Sequence, residues 1–132
     1  MRADNVIASL LNVAAVTAIV GNRLARQRLP QNSTYPAAVY ELISATPVLP
    51  ITANAGANIT RAIVQINCLA RKLDDMDALV EAVRVACSFK AGSIAGVQVI
   101  SVVPAGAQPL LRDDDVSVFY QSMDFDVTYV EA

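Results

Sequence analysis

A strand that leads directly into a helix, at residues 59–90, constrains the fold more than any other stretch of this sequence. Its first part alternates between two sets of side chains, and both sets include apolar residues: Ala62, Val64, Ile66, Cys68 and Ala70 on one side, and Arg61, Ile63, Gln65, Asn67 and Leu69 on the other. This period of two predicts a β-strand that lies inside a sheet. Asp74 or Asp75 then offers a helix N-cap, with acid in the first turn.

The helix predicted after these aspartates is apolar on more than one side. Its main stripe recurs at helical spacing: Met76, Leu79, Val80, Val83, Ala86 and Cys87. A second apolar stripe lies beside the first: Ala78, Ala82, Val85 and Phe89. Because the remaining polar strip is narrow, we expect neighbours to cover this helix on more than one side.

The first twenty residues predict an amphipathic core helix. Asp4 or Asn5 offers a cap. The apolar face that follows comprises Val6, Ile7, Leu10, Leu11 and Ala14. The pattern continues to residue 20, either after a kink or as a short second helix, and Gly21 is expected to end it. The run is too short, and too interrupted at Asn12, to span a bilayer.

Three further strands complete the pattern. Residues 37–44, 97–103 and 116–130 alternate as strands do, and residues 45–58 and 104–115 are predicted to be loops. At about 3.3 Å per residue the last strand would span roughly 50 Å, so it must bend, bulge or project past the body. The order α-β-β-α-β-β predicts a single α+β domain over residues 1–132. We expect an antiparallel-rich four-stranded sheet with two helices packed on one face.

Composition indicates that some of the apolar surface needs a partner. Hydrophobic residues make up 55% of the chain and charged residues only 17%, against a usual charged share of about 25%. A domain of 132 residues has too much surface to hide this material within itself, so we expect self-association. The net charge of −2 disfavours a dedicated nucleic-acid-binding protein. Cys68 and Cys87 are predicted to be buried structural thiols.

No group of residues in the sequence is typical of an enzyme. The chain has no histidine, which excludes a nucleophilic triad built on that residue, and no glycine-rich loop that cradles phosphate. Asp113, Asp114 and Asp115 offer oxygen ligands for Mg²⁺ or Ca²⁺, but without EF-hand spacing they are predicted to form a solvated loop. Asp124 and Asp126 share a strand face and are likewise expected to be solvated rather than an acid/base pair. We therefore expect no catalysis, no metal and no cofactor.

Arg23, Arg26 and Arg28 form the one basic cluster of the sequence. Arginines in such a cluster are suited to phosphate contact or to ion pairs with carboxylates across a subunit interface. Because no aromatic residues are interleaved and the protein is acidic, the interface is the favoured interpretation.

The order of several short motifs resembles a known family. VGNRL at residues 20–24 follows the N-terminal helix, and YPAAVY at residues 35–40 begins the first long strand. VQINC at residues 64–68 lies in the central strand, and YQSMDFDVTY at residues 120–129 comes last. This layout resembles the tail completion, or tail terminator, proteins of long-tailed bacteriophages and prophages.

The resemblance implies a structural protein of the virion rather than an enzyme. It implies a homo-oligomer, a hexameric ring at the head-proximal end of the tail tube that ends tube polymerisation and provides the head-docking surface. The tail tube protein and a head connector or neck protein would be its partners, and DNA would pass through the ring without sequence-specific binding. Assembly would take place in the host cytoplasm, without a membrane. Two alternatives stay open: another head–tail connector protein, or a small α+β ligand-binding regulatory domain, for which converging polar groups are lacking.

Two segments are expected to contact other molecules if the resemblance holds. The loop at residues 45–58 is long for a compact domain and is expected to order on a neighbouring subunit, the tube or the connector. Its turn-forming residues are Pro47, Pro50, Asn54, Gly56 and Asn58. The arginine cluster is expected to pair with carboxylates of an adjacent subunit, and the candidate partner is the acidic run at residues 113–115.

Overall fold

The computed structural model of the chain describes residues 2–21, 23–27, 34–48, 58–114 and 117–131. Their helices and strands, in chain order, are α1 (Arg2–Leu11), α2 (Ala14–Val20), β1 (Leu24–Arg26), β2 (Ala37–Val48), β3 (Asn58–Ala70), α3 (Leu73–Cys87), β4 (Lys90–Ile94), β5 (Val97–Ala107), β6 (Leu111–Asp113) and β7 (Val118–Glu131). The strands form one mixed sheet in the order β1-β2-β3-β7-β5-β4, with β6 paired to β7. The sheet curls into a half-barrel, and the helices pack against one of its faces.

The predicted four-stranded sheet with two helices is wrong, although the fold is α+β. The described residues form seven strands and three helices. The additional strands β1, β4 and β6 have three, five and three residues, too few for a period of two to be recognised in the sequence. In addition, β1 pairs in parallel with β2, so the sheet is mixed.

The strand and helix at the centre of the sequence form as predicted, apart from the cap. β3 pairs with β2 on one side and with β7 on the other, as expected for a strand inside the sheet. The prediction of Asp74 or Asp75 as the N-cap is wrong, because α3 already begins at Leu73 and Lys72 is its cap. Both aspartates lie in the first turn, where a carboxylate interacts favourably with the helix dipole.

The apolar N-terminal segment forms two helices that meet at an angle of 82°. Val13 is the N-cap of α2, and the Thr17 hydroxyl donates to its carbonyl at 3.1 Å. Gly21 ends α2 with φ +59°, a left-handed conformation that glycine adopts at little cost. Among the described residues no single helix is long and apolar enough to cross a membrane, and α1 and α2 pass that test only as a bent pair, by length and composition.

An ion pair joins the first helix to the short strand β1. Asp4 is in the first turn of α1 rather than at its cap, because the helix begins two residues earlier. Its side chain is 1% exposed, and its Oδ2 lies 2.9 Å from the Nε of Arg26. Arg23 holds the same corner, since its guanidinium donates to the Pro36 carbonyl at 2.8 Å and to the Ile19 carbonyl in α2 at 3.3 Å.

β2 and β5 are longer than predicted, and both contain irregularities. β5 continues through Pro104, where the sequence predicted a break, and its register against β7 shifts twice. β7 itself, predicted to bend or bulge, keeps an unshifted register with β3 along the whole of Asn58–Ala70. β2 also contains a register shift, so the irregularities lie in the strands on either side of this central pair.

Two stretches of the sheet have a free outer side among the described strands. β1 covers β2 only at Ala38–Tyr40, and β4 covers β5 only as far as Val102. Each uncovered stretch contains a register shift and a proline, Pro47 in β2 and Pro104 in β5. Proline has no N–H to donate and therefore occurs within sheets at such edges.

The core lies between the helices and one face of the sheet. The largest fully buried side chains include Tyr129, Phe125, Ile7, Leu11, Ile66, Met76 and Leu79. Burial of one such side chain stabilises a protein by about 1.5–3 kcal/mol relative to its exposure. The thiols of Cys68 and Cys87 are buried here, as predicted, and burial raises the pKa of each to about 12. Both thiols therefore stay protonated and unreactive at neutral pH.

Replacement of Arg26 should destabilise the isolated subunit. Arg26→Ala removes the guanidinium beside the buried Asp4 carboxylate, and we expect a loss of about 1–2 kcal/mol. This is less than the loss for a fully buried pair because the Arg26 side chain is 52% exposed. Urea unfolding measures the change.

Arg84→Ala is the matched control for this experiment. It removes the pair between Arg84 and Glu81, in which both side chains are exposed, and should change the free energy of unfolding by less than about 0.5 kcal/mol. Equal stabilities of the two variants would contradict a structural role for the Asp4–Arg26 pair.

Candidate assembly surfaces

Among the described residues, no helix or strand packs on the face of the sheet that points away from the helices, and this face is termed the open face. It is formed by alternate residues of the four long strands: Val39, Glu41, Ser44 and Thr46 of β2; Arg61, Ile63, Gln65, Asn67 and Leu69 of β3; Ser101 and Val103 of β5; and Tyr120, Ser122, Asp124, Asp126 and Thr128 of β7. Most of these side chains are half-buried or exposed. The open face is therefore accessible to another molecule.

Hydrogen bonds between β3 and β7 cross the centre of the open face. The Arg61 Nε donates to the Asp126 Oδ2 at 2.6 Å, and the Gln65 amide donates to the Asp124 Oδ1 at 3.3 Å. The hydrogen bond to the Asp126 carboxylate, together with its charge, raises the pKa of Arg61 above its ordinary value. Asp124 and Asp126 are thus held by cross-strand partners that order the face, and the prediction that both are solvated is wrong for Asp126, which is buried.

The open face carries more negative than positive charge. Glu41, Asp124 and Asp126 are its carboxylates, and Arg61 is the guanidinium opposite them. The described part of this face therefore offers few attractive contacts to the phosphates of nucleic acid.

A groove of about 490 Å³ lies at the β1 end of the open face and is termed the aromatic groove. It is lined by Gln27, Tyr35, Val39, Asn67, Leu69, Tyr120 and Ser122. None of these side chains is charged at neutral pH, and the Arg71 guanidinium stands 5.2 Å from the centre of the Tyr35 ring, outside the lining. An uncharged groove with two tyrosines suits an apolar or aromatic side chain.

The helices carry a second apolar surface on the opposite side of the subunit, termed the helix patch. A hollow of about 340 Å³ between α1, α2 and α3 is lined by Ser9, Leu10, Val13, Ala15, Ala82, Val85, Ala86 and Lys90. Val85 is 57% exposed, and Phe89, just after α3, is 79% exposed. The second stripe of α3, which the sequence predicted to be covered, is thus partly bare within the subunit.

The structure gives partners within the subunit to two of the three arginines of the predicted cluster. Arg23 bonds to backbone carbonyls, and Arg26 pairs with Asp4, as described above. Arg28 lies outside the described residues. An interface role for the cluster stays a prediction, and the observed contacts show that the first two arginines also shape the corner between α1, α2 and β1.

The acidic run is not brought to the arginine cluster within the subunit. Asp113 belongs to β6, Asp114 is exposed and lies 2.8 Å from a guanidinium nitrogen of Arg112, and Asp115 lies outside the described residues. In the described part of the chain, no three His, Cys, Asp or Glu side chains are grouped in a way that could hold a metal ion.

The predicted loop between the first two long strands is shorter than expected. Pro47 belongs to β2 and pairs with Thr60, and Asn58 is the first residue of β3. Pro50, Asn54 and Gly56 lie outside the described residues. The connection therefore spans residues 49–57, and its contact with other molecules stays a prediction.

Sequence reasoning missed both of the surfaces described here. The aromatic groove combines residues from β2, β3 and β7 with Gln27 and Tyr35, and only the pairing order of the strands brings these together. For the helix patch a signal did exist, since Val85 and Phe89 formed part of a second apolar stripe that was expected to be covered.

Comparisons with known proteins support the resemblance read from the motifs. A family model described as tail completion protein gp17 matches residues 4–129. A chain of the virion of a native gene transfer agent particle has a similar fold, with a TM-score of 0.66 over 98% of this chain and 93% of that chain, at 14% identity. Comparison with curated protein sequences gives no match. Since the family model spans almost the whole sequence, this chain belongs to the tail completion protein gp17 family of phage tail structural proteins.

Proposed function

We propose that this protein forms a ring at the head-proximal end of a phage tail tube, ends polymerisation of the tube and provides the surface on which the head docks. Its family supports a structural role in the tail, and its fold resembles that of a chain in a phage-like virion. The observation that carries the proposal is apolar surface left bare on both sides of the subunit, the aromatic groove and the helix patch. Such surface is typical of a protein that functions in an assembly.

The partners follow from the same proposal. Copies of the chain surround a central hole as a hexamer, the tail tube protein lies on one side of the ring, and a head connector protein lies on the other. DNA passes through the hole. Where the acidic open face borders the hole, this face does not retain the DNA, because attractive contacts with phosphate are lacking. The protein is in this view a virion component assembled in the host cytoplasm.

Removal of the protein from an assembling particle tests the function directly. Tubes assembled without it should vary in length and should lack joined heads, and addition of the purified chain should restore both features. Negative-stain electron microscopy measures the distribution of tube lengths and the fraction of tubes with heads. Tubes of normal length with joined heads in the absence of the protein would overturn the proposal.

Deletion of residues 50–57 should leave a folded subunit that no longer completes tails. The variant retains every described β2–β3 pair, from Ala37–Leu69 to Val48–Ile59, so we expect the circular dichroism to be unchanged. A variant with a glycine/serine segment of equal length is the control, because it separates the effect of the length of the connection from the effect of its side chains. Unchanged tail length and infectivity of both variants would count against a contact through this segment.

Charge reversal of the arginine cluster should weaken ring assembly. Arg28→Glu is the informative variant, because Arg23 and Arg26 have contacts within the subunit whose loss would affect folding. Rings should dissociate at an unchanged melting temperature, and Asp→Lys replacements at residues 113–115 should partly restore them. Size-exclusion chromatography with light scattering measures both effects, and full assembly of the Arg28 variant would rule out this pairing.

A further inference from the structure

Phe89 exposes its aromatic ring to solvent and has a left-handed backbone conformation, which residues other than glycine rarely adopt. It follows Ser88, the C-cap of α3, and has φ +56°. Helices commonly end with glycine at this position, because the left-handed conformation crowds a Cβ atom. The side chain is 79% exposed, so packing within the subunit does not explain why a bulky residue occupies the position.

The surroundings of Phe89 resemble the centre of a protein interface. Val85, one turn earlier on α3, is 57% exposed, and Val13 across the hollow of the helix patch is 40% exposed. Residues 5–22, which supply the other wall, contain no charged side chain. Interface centres are depleted of charge and are anchored by aromatic side chains.

The complementary surface lies on the opposite face of the same subunit. The described side chains that line the aromatic groove are uncharged and include Tyr35, Tyr120, Val39 and Leu69, and the Arg71 guanidinium lies 5.2 Å from the centre of the Tyr35 ring. The Phe89 ring and the described side chains that line the groove are uncharged, so their contact removes no charge from water, and Lys90 is the one charged side chain that lines the hollow of the helix patch among the described residues. Aromatic rings also gain from edge-to-face contact with tyrosines.

We propose that Phe89 of one copy inserts into the aromatic groove of the next copy. This inference rests on the proposed self-assembly, because it specifies the contact between neighbouring subunits. The helices pack on one face of the sheet and the groove lies on the other, so the contact joins two different surfaces and each copy offers one of each. Such a head-to-tail contact generates a ring when its rotation closes.

Phe89→Gly separates this interface role from a role in folding. Glycine suits the left-handed backbone at this position, so the variant should melt at the same or a higher temperature than the wild type. Its self-association, measured by sedimentation with and without tail tubes, should nevertheless weaken about tenfold or more. Wild-type association of Phe89→Gly would overturn the proposal.

A tryptophan reporter observes the contact itself. The chain contains no tryptophan, so Phe89→Trp introduces a single emission signal. The emission should shift to shorter wavelength on assembly, and the shift should disappear when Tyr120→Ala is added. Ile100 lies on β5 and is 46% exposed, so Ile100→Trp is the control. Its emission should not shift on assembly. An assembled Phe89→Trp ring without the shift would contradict the insertion.

Mixing two variants tests whether the contact joins unlike surfaces. Phe89→Gly retains the groove, and Tyr120→Lys retains the phenylalanine, so each should remain monomeric alone while an equimolar mixture forms one-to-one dimers. Dimers of Tyr120→Lys alone would indicate a contact between two copies of Phe89 and would overturn the proposal.

If wild-type chains never associate, even on tail tubes, the proposed function fails. If Phe89→Gly forms normal rings but does not complete tails, Phe89 contacts the tube or the connector, and only the contact proposed here fails.

Discussion

The unbroken pairing of β3 with β7 is the interaction on which the rest of the subunit depends. Thirteen residue pairs follow one another without a shift, and they divide the side chains of both strands between two environments. Ile66 and Phe125 lie under the helices, while Gln65 and Asp124 face the other way. A slip of one residue would exchange these environments, so the apolar face under α3 fixes the register. The flanking strands β2 and β5 pair with the outer sides of β3 and β7, and their bulges increase the twist of the sheet.

The subunit is a two-layer structure whose outer surfaces are unlike those of a typical monomer. The helices leave Val85 and Phe89 bare, and the sheet leaves an uncharged groove beside an acidic, hydrogen-bonded centre. Both sides are suited to contact with other proteins, in agreement with membership of a family that completes phage tails.

The sequence predicted the long elements well and the short ones poorly, for a physical reason. β3 and α3 have enough residues for their periods to be recognised, whereas β1, β4 and β6 are fixed by pairing with distant strands. Asp4 illustrates the same limit, because its position suggested a cap and its partner Arg26 lies in a strand that no local pattern revealed. The groove was likewise beyond prediction, since Tyr35 and Tyr120 come together only through the strand order. Phe89 was visible as part of a stripe, but its exposure required the structure.

The prolines on the uncovered parts of β2 and β5 have a consequence for the life of the protein before it reaches the particle. Pro47 and Pro104, each with a bulge in its strand, make these edges poor templates for a strand from another chain. A newly made subunit with so much apolar surface is thereby protected against fibrous aggregation through its backbone. Specific contact is left to side chains, which recognise one orientation of one partner.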